Sequence, residues 1–140
     1  MTEAIEKIVS KIGMLANQAS HSVGSLEVLT KNEALESAAE NLLANKDIIL
    51  KENEKDVEKH KSKLTPALLD RLILDEKRII GMCEGIIKIS QLDDPVGKVL
   101  DEWDRPNGLK IQKVSVPLGV IGVIYESRPN VAADAAALCL

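Results

Sequence analysis

The sequence contains almost no aromatic residues, with one Trp, one Tyr and no Phe among its 140 residues. Its core must therefore be built from aliphatic side chains. It also contains only two cysteines, Cys83 and Cys139, which are too few for a disulfide scaffold and lack the spacing of metal ligands. These scarcities exclude the disulfide-rich and zinc-ribbon classes. We expect a reduced, cytoplasmic protein without a metal site.

Long apolar runs and an excess of basic charge are absent as well. No stretch approaches the ~20 consecutive apolar residues that a membrane-spanning helix needs. The N-terminus carries Glu3 and no apolar signal-peptide core, so secretion is not expected. Eighteen basic and 22 acidic residues give a formal charge of −4, which argues against a nucleic-acid partner or an anionic membrane surface.

Residues 1–95 have a helical pattern. Apolar residues at 3-4-3 spacing predict a first helix that ends near Val23. Residues 30–33, Thr-Lys-Asn-Glu, form a capping box, which predicts the start of a second helix. Thr65-Pro66 and Asp75 predict the starts of two further helices, because proline is tolerated at the first helical position and Asp caps well.

The pattern changes to strands at residue 96. The turn signal Arg-Pro-Asn-Gly at 105–108 predicts a β-hairpin over residues 96–116. Residues 118–124 are apolar on both faces, which is typical of a buried strand in a parallel sheet. A polar loop over 125–130 and an Ala/Leu helix from about residue 131 follow. Ligands of open α/β sheets bind where such a strand ends, so this loop is the candidate site.

Residues 116–130 read Val-Pro-Leu-Gly-Val-Ile-Gly-Val-Ile-Tyr-Glu-Ser-Arg-Pro-Asn, and this stretch closely resembles the γ-glutamyl phosphate reductase family. That family, also called glutamate-5-semialdehyde dehydrogenase, belongs to the aldehyde dehydrogenase superfamily. Residues 64–72 and 93–97 resemble segments of the same enzymes in the same order. The motif Tyr-Glu-Ser-Arg-Pro-Asn is specific, whereas the preceding Pro-Leu-Gly-Val-Ile-Gly is shared across the superfamily. The resemblance covers most of the chain but only the N-terminal portion of such an enzyme.

The resemblance implies an α/β, aldehyde-dehydrogenase-like fold. N-terminal helices and a β-hairpin arm would precede the first strand and helix of a parallel nucleotide-binding sheet, which the chain leaves incomplete. Residues 1–95 would be the helical part of the cofactor-binding domain, 96–116 an oligomerisation arm, and 117–140 a truncated first βα unit. We therefore expect a homo-oligomer, and we expect the 140 residues alone to be inactive.

The resemblance also implies the reaction. It is the NADPH-dependent reduction of γ-glutamyl phosphate to glutamate 5-semialdehyde, with release of phosphate, in proline biosynthesis. The cofactor would be NADP(H) and the partner a small-molecule substrate. The alternatives are another semialdehyde dehydrogenase of the superfamily and a non-catalytic helical interaction module. The family's cysteine nucleophile falls beyond Leu140, and we expect both Cys83 and Cys139 to be buried, structural residues.

The loop supplies the candidate site residues. The resemblance implies that the Asn130 amide donates to the oxygen of the covalent intermediates, and the alternative role is a cap for the following helix. It also places Tyr125, Glu126, Ser127 and Arg128 beside the pyrophosphate and nicotinamide ribose of the cofactor. The planar guanidinium of Arg128 would suit an acyl phosphate too. The structural alternative for Arg128 is a salt bridge with Glu126 or Asp134.

Overall fold

The structure is a computed structural model that describes residues 2–140, so Met1, the first residue of the predicted helical part, lies outside it. Over the described residues the chain forms six helices and a single pair of strands. They are α1 (Thr2–Val23), α2 (Val28–Ala44), α3 (Lys46–His60), α4 (Pro66–Leu72), α5 (Glu76–Ser90), β1 (Val99–Asp104), β2 (Lys110–Val114) and α6 (Pro129–Cys139). No helix among these residues is long and apolar enough to cross a bilayer.

The described residues group into two compact units. The helical unit comprises Glu27–Leu92 and Val123–Leu140, and the hairpin unit comprises the residues up to Leu26 together with Asp93–Gly122. The helical unit contains α2 to α6, whereas the hairpin unit contains α1 and the β1–β2 pair. Each unit is therefore built from segments that are distant in the sequence.

The core of the helical unit lies where α2, α5 and α6 meet. Leu35 and Ala39 from α2 pack with Ile86 from α5 and Ala137 from α6. Small alanines at two of these positions let the helices approach closely, while the branched residues fill the space between them. Ile79, seven positions before Ile86 in α5, is the largest fully buried side chain, with no exposed surface. This core fixes the position of α6.

Two helix starts follow the predicted caps. The Thr65 hydroxyl accepts from the Leu68 N–H at 3.4 Å, before α4. The Asp75 carboxylate accepts from the Arg78 N–H at 2.6 Å, before α5. These contacts satisfy backbone donors that the first turn of a helix leaves unpaired.

The capping box predicted at residues 30–33 is wrong. Helix α2 begins at Val28 with Glu27 as its N-cap residue. The N–H of Lys31 donates to the carbonyl of Glu27 at 3.2 Å, so the helical bonding pattern already includes Thr30. A cap is worth only about 1 kcal/mol, and an early start adds helical hydrogen bonds that offset its loss.

Side-chain contacts hold the turn between α4 and α5. The buried Asn53 of α3 donates to the Leu72 carbonyl at 2.8 Å and accepts from the Leu74 N–H at 2.7 Å. Arg78 donates to the Ile73 carbonyl at 2.6 Å and to the Asp70 carboxylate at 2.7 Å. The turn is therefore fixed from both sides, once by a buried amide and once by a guanidinium.

The hairpin unit confirms the predicted β-hairpin. Strands β1 and β2 pair antiparallel, with Trp103 opposite Ile111, and the register shifts between Val99 and Asp101. Gly108 closes the loop with a φ of +85°, a left-handed conformation that glycine adopts without strain. Every residue of both strands is exposed. The hairpin is thus held by its backbone ladder and by surface contacts.

Residues 118–124 differ from their predicted form. They carry no regular secondary structure, and Leu118 is 89% exposed. A strand is defined by hydrogen bonds to a neighbour, and none of the described residues pairs with this segment. The buried strand predicted here is therefore not formed within this chain, although the arrangement of helices and hairpin agrees with the predicted fold class.

Candidate functional site

The candidate loop leads directly into helix α6. Arg128 is the N-cap residue of α6, Pro129 takes the first helical position, and the Val131 N–H donates to the Arg128 carbonyl at 3.1 Å. Ser127 has a φ of +53°, which is uncommon for a residue other than glycine. Such backbone conformations cluster at functional sites, where the surrounding structure holds them in place. The residue with this uncommon backbone conformation, Ser127, thus lies within the predicted site loop.

Asn130 lies inside the first turn of α6 and is half-buried. Its Nδ2 atom donates to the Asp134 carboxylate at 2.9 Å, one helical turn further on. A carboxylate oxygen accepts, so this contact fixes which end of the Asn130 amide faces Asp134. The amide has a second N–H for another acceptor. Because Arg128 is the N-cap residue, the alternative role of Asn130 as helix cap is wrong.

An open cleft of ≈530 Å³ lies between the α4–α5 turn and the start of α6 within the helical unit. Its lining combines charged groups with a few apolar side chains. The lining residues are Asp70, Arg71, Ile73, Leu74, Arg78, Gly81, Met82, Arg128, Asn130 and Asp134. Three of the four arginines in the whole sequence therefore line one cleft. The cleft has the size range typical of small-molecule sites.

The charges of the cleft divide into paired and available groups. Arg78 is occupied by the Asp70 carboxylate and by the Ile73 carbonyl. Arg71 and Arg128 are exposed, and within residues 2–140 neither forms a salt bridge. The salt bridge of Arg128 with Glu126 or Asp134 is accordingly not observed. Two guanidinium groups remain free to meet an anion.

The structure brings together some of the predicted site residues and not others. Arg128 and Asn130 both line the cleft, whereas Tyr125, Glu126 and Ser127 do not. Tyr125 and Glu126 are exposed and Ser127 is half-buried.

Sequence reasoning missed most of the cleft lining, including its two other arginines, Arg71 and Arg78. They come from α4 and α5, more than forty positions before the loop, and no local pattern connects them with it. Asp134 could have been found as the partner of Asn130, because residues four positions apart meet on one face of a helix. The sequence pattern had indicated Asp134 only as a possible partner of Arg128.

The two cysteines occupy different surroundings. Cys83 is half-buried, its thiol donates to the Ala39 carbonyl at 3.4 Å, and burial raises the pKa of this thiol. A raised pKa leaves little thiolate, so Cys83 fits the predicted structural role. Cys139 is exposed, which corrects the prediction that it is buried. It lies at the last turn of α6, where only part of the helix surface faces the core. No group of three or more potential metal ligands occurs in the described part of the chain.

The fold and the cleft together indicate the class of protein. A helix-rich unit with a loop-to-helix site and a separate antiparallel hairpin corresponds to part of an aldehyde-dehydrogenase-like α/β fold. Two crystal structures share this arrangement. That of gamma-glutamyl phosphate reductase from Thermotoga maritima gives a TM-score of 0.85 at 40% identity, over 88% of this chain and 30% of that one. That of gamma-glutamyl phosphate reductase from Saccharomyces cerevisiae gives 0.87 at 33% identity, over 91% of this chain and 33% of that one.

Curated relatives carry the same name. Gamma-glutamyl phosphate reductase of Caldanaerobacter subterraneus is 57% identical over 126 residues, which are 89% of this chain and 30% of that protein. The enzyme of that name from Clostridium novyi is 48% identical over 137 residues, 97% of this chain and 33% of that protein. No protein-family model matches the chain. The chain is a relative of the gamma-glutamyl phosphate reductases and spans about a third of their length, which confirms the resemblance seen in the sequence.

Proposed function

We propose that the protein to which these residues belong catalyses the NADPH-dependent reduction of γ-glutamyl phosphate to glutamate 5-semialdehyde, with release of phosphate. The observation that carries this proposal is the similarity, in sequence and in fold, to enzymes named gamma-glutamyl phosphate reductase. The reaction is a step of proline biosynthesis, and we place it in the cytoplasm. The acyl phosphate is the small-molecule partner.

Asn130 would stabilise the negative charge that develops on the substrate carbonyl oxygen when a thiolate adds to it. A fixed N–H donor aimed at that oxygen lowers the barrier, because it costs no reorganisation during the reaction. The hydrogen bond from Asn130 to Asp134 supports this role, since it holds the amide in one orientation. Asp134 would thus act as a positioning residue for Asn130.

Tyr125, Glu126, Ser127 and Arg128 would hold the cofactor. Their hydroxyl, carboxylate and guanidinium groups suit the ribose and the pyrophosphate of a nicotinamide dinucleotide. When bound, the reduced nicotinamide supplies the hydride. The exposure of Tyr125 and Glu126 supports this assignment, because their polar groups are accessible to a ligand.

The nucleophile would come from outside these 140 residues. Cys83 donates its thiol to a backbone carbonyl and is partly withdrawn from solvent. Cys139 lies nine positions after Asn130 on the same helix, and at 1.5 Å per residue the two are separated by ~13 Å along its axis. A thiolate and an oxyanion donor must meet at one carbonyl group, so neither cysteine fits.

We also assign a role to each of three parts of the chain. Residues 1–95 would belong to the cofactor-binding domain, residues 96–116 would form an oligomerisation arm, and residues 117–140 would begin the nucleotide-binding sheet. The exposed apolar side chains of the hairpin support an arm that meets another subunit of a homo-oligomer. The apolar segment 118–124 would gain strand partners in the complete sheet.

The test is the reverse reaction of the full-length protein, with glutamate 5-semialdehyde, NADP⁺ and inorganic phosphate. We expect NADP⁺ reduction only when phosphate is present, because phosphate must release the acyl group from the enzyme. Reduction without phosphate would indicate a hydrolytic semialdehyde dehydrogenase, and no reduction at all would favour a non-catalytic helical module. Replacement of NADP⁺ by NAD⁺ in the same assay tests the cofactor.

The Asn130→Ala variant tests the assigned donor. We expect kcat to fall about 10²–10³-fold, as it does when one oxyanion donor is removed. The matched control is Asn107→Ala, which removes an amide from the exposed hairpin turn and should leave kcat unchanged. Equal kcat values for Asn130→Ala and the wild-type protein would refute the oxyanion role.

A further inference from the structure

The cleft offers a charge pattern that the oxyanion donor alone does not explain. Asn130 and Arg128 lie on the α6 wall, while Arg71 belongs to the last turn of α4. Arg71 comes from a part of the sequence with no predicted role in the site. Its presence beside the proposed reaction centre requires a chemical reason.

The three arginines of the cleft are not equivalent. Arg78 donates to the carbonyls of Asp70 and Ile73 and to the Asp70 carboxylate, so its guanidinium is engaged in holding the α4–α5 turn. Arg71 and Arg128 have no salt-bridge partner within residues 2–140, and both are exposed. Asp70 is occupied by Arg78, and Asp134 accepts from Asn130. The carboxylates of the cleft are thus engaged, while two cations are not.

We propose that Arg71, together with Arg128, recognises an anionic group of the substrate and so determines which acyl compounds the cleft accepts. A planar guanidinium can bind a carboxylate or a phosphate through two parallel hydrogen bonds. This inference rests on the proposed function, because γ-glutamyl phosphate carries both groups, a phosphate at the reacting end and an α-carboxylate at the other. Both groups present a pair of negatively charged oxygens to a guanidinium. The experiments below distinguish binding of the phosphate from binding of the α-carboxylate.

The cleft has room for this arrangement. Its ≈530 Å³ lies within the range typical of small-molecule sites, and its walls come from different helices of one unit. A small ligand in the cleft would therefore lie within walls that carry both Arg71 and Arg128. Ile73, Leu74 and Met82 also line the cleft and offer apolar surface to the carbon chain between the charged ends.

The first test does not depend on catalysis. Phenylglyoxal modifies accessible arginine side chains, and peptide mass spectrometry of the full-length protein measures the modification at each position. We expect inorganic phosphate or L-glutamate to slow the modification of Arg71 and Arg128. Arg105, the one arginine of these 140 residues that lies outside the cleft, is the internal control and should be modified at the same rate throughout. Unchanged modification of Arg71 with both anions would overturn the inference.

The second test assigns the anion by kinetics of the reverse reaction. Arg71→Ala should raise one KM on the order of ten- to a hundredfold, as expected when a charged hydrogen bond to a ligand is lost. A higher KM for inorganic phosphate places Arg71 at the phosphate, and a higher KM for glutamate 5-semialdehyde places it at the α-carboxylate. A change confined to the KM for NADP⁺ would overturn the inference, since the anion would then belong to the cofactor.

Two controls make the kinetic result specific. Arg71→Lys keeps the positive charge but loses the planar fork, so its KM should lie between the wild-type and Arg71→Ala values. Arg105→Ala removes the same side chain from the hairpin loop and should change no KM. If the wild-type protein shows no phosphate-dependent activity, the proposed function fails, and the modification experiment still decides whether Arg71 binds an anion.

Discussion

The two units of the molecule are stabilised in different ways. All the buried residues of the described chain, ten in number, lie in the helical unit, where apolar side chains from three helices form a core. The hairpin strands contain no buried residue, and even Trp103 is 41% exposed. Isolated two-stranded hairpins are marginally stable in water. Apolar content alone therefore does not make a core, because the hairpin unit is also rich in apolar residues.

The largest expected effect of this difference is on core truncation. Ile79→Ala removes a side chain with no exposed surface and leaves a cavity in the helical unit. We expect it to lower the free energy of unfolding by about 2–5 kcal/mol. The matched variant Ile111→Ala lies in the hairpin with 37% of its surface exposed, and for an unassociated subunit we expect a loss of at most about 1 kcal/mol.

Urea denaturation followed by far-ultraviolet circular dichroism measures both variants. The comparison requires the Ile79→Ala midpoint to fall well below the Ile111→Ala midpoint. Similar losses in the two variants would mean that the hairpin side chains are buried in solution, for example against another subunit. That result would break the contrast between the units.

A smaller effect is expected from the Asn53 clamp, the pair of hydrogen bonds by which this buried side chain holds the α4–α5 turn. Asn53→Ala removes both hydrogen bonds to the backbone at Leu72 and Leu74 and leaves those groups unsatisfied near the core. We expect a loss of about 1–3 kcal/mol in the free energy of unfolding. Asn107→Ala is the control, because its side chain serves an exposed hairpin turn at 3.3 Å, and it should cost less than about 0.5 kcal/mol.

Thermal unfolding monitored by calorimetry distinguishes the two asparagines. If the Asn53→Ala and Asn107→Ala transitions shift equally, the α4–α5 turn does not depend on its buried clamp. Because Ile73 and Leu74 also line the cleft, the same variant tests whether the clamp supports the candidate site. A raised KM with little loss of stability would assign Asn53 a positioning role.

The sequence allowed correct predictions of several features that depend on neighbouring residues. Thr65 and Asp75 cap the helices that follow them, and Arg105-Pro-Asn-Gly108 closes a hairpin. In each case the donor, the acceptor or the required backbone angle lies within a few positions. Physical rules for caps and turns therefore apply directly.

Features that depend on distant residues were wrong or were missed. The strand predicted over 118–124 needs a hydrogen-bonding neighbour that the described residues do not supply. The start of α2 is a local exception: it precedes the capping box at Thr30, because helical bonds from Glu27 onward outweigh a single cap. The cleft joins Arg71 to Arg128 across fifty-seven positions, and only the packing of α5 against its neighbours brings them to one place. No local sequence pattern indicates such a contact.

The smallest predicted effect concerns the hairpin unit and depends on the carboxyl of Glu102. The pKa of Glu102 is lowered, first by the hydrogen bond from Gln112 across the strands and then by the one from Lys110 at 3.3 Å. A carboxyl whose pKa is lower in the folded state stabilises that state above its unfolded pKa of about 4.3. This stabilisation is lost as the pH falls through the lower, folded value.

Trp103, the only tryptophan, follows Glu102 in β1 and reports on the hairpin by its fluorescence. Below about pH 4 we expect the urea midpoint measured by this signal to fall in the wild-type protein and to fall less in Glu102→Gln, which carries no titrating group at that position. Other carboxyls of the hairpin are common to both proteins, so the difference between their pH slopes isolates Glu102. Identical slopes would mean that the contacts of Glu102 with Gln112 and Lys110 do not persist in solution. The hairpin would then be held by its backbone ladder alone, and the contrast with the side-chain core of the helical unit would be greater than the structure indicates.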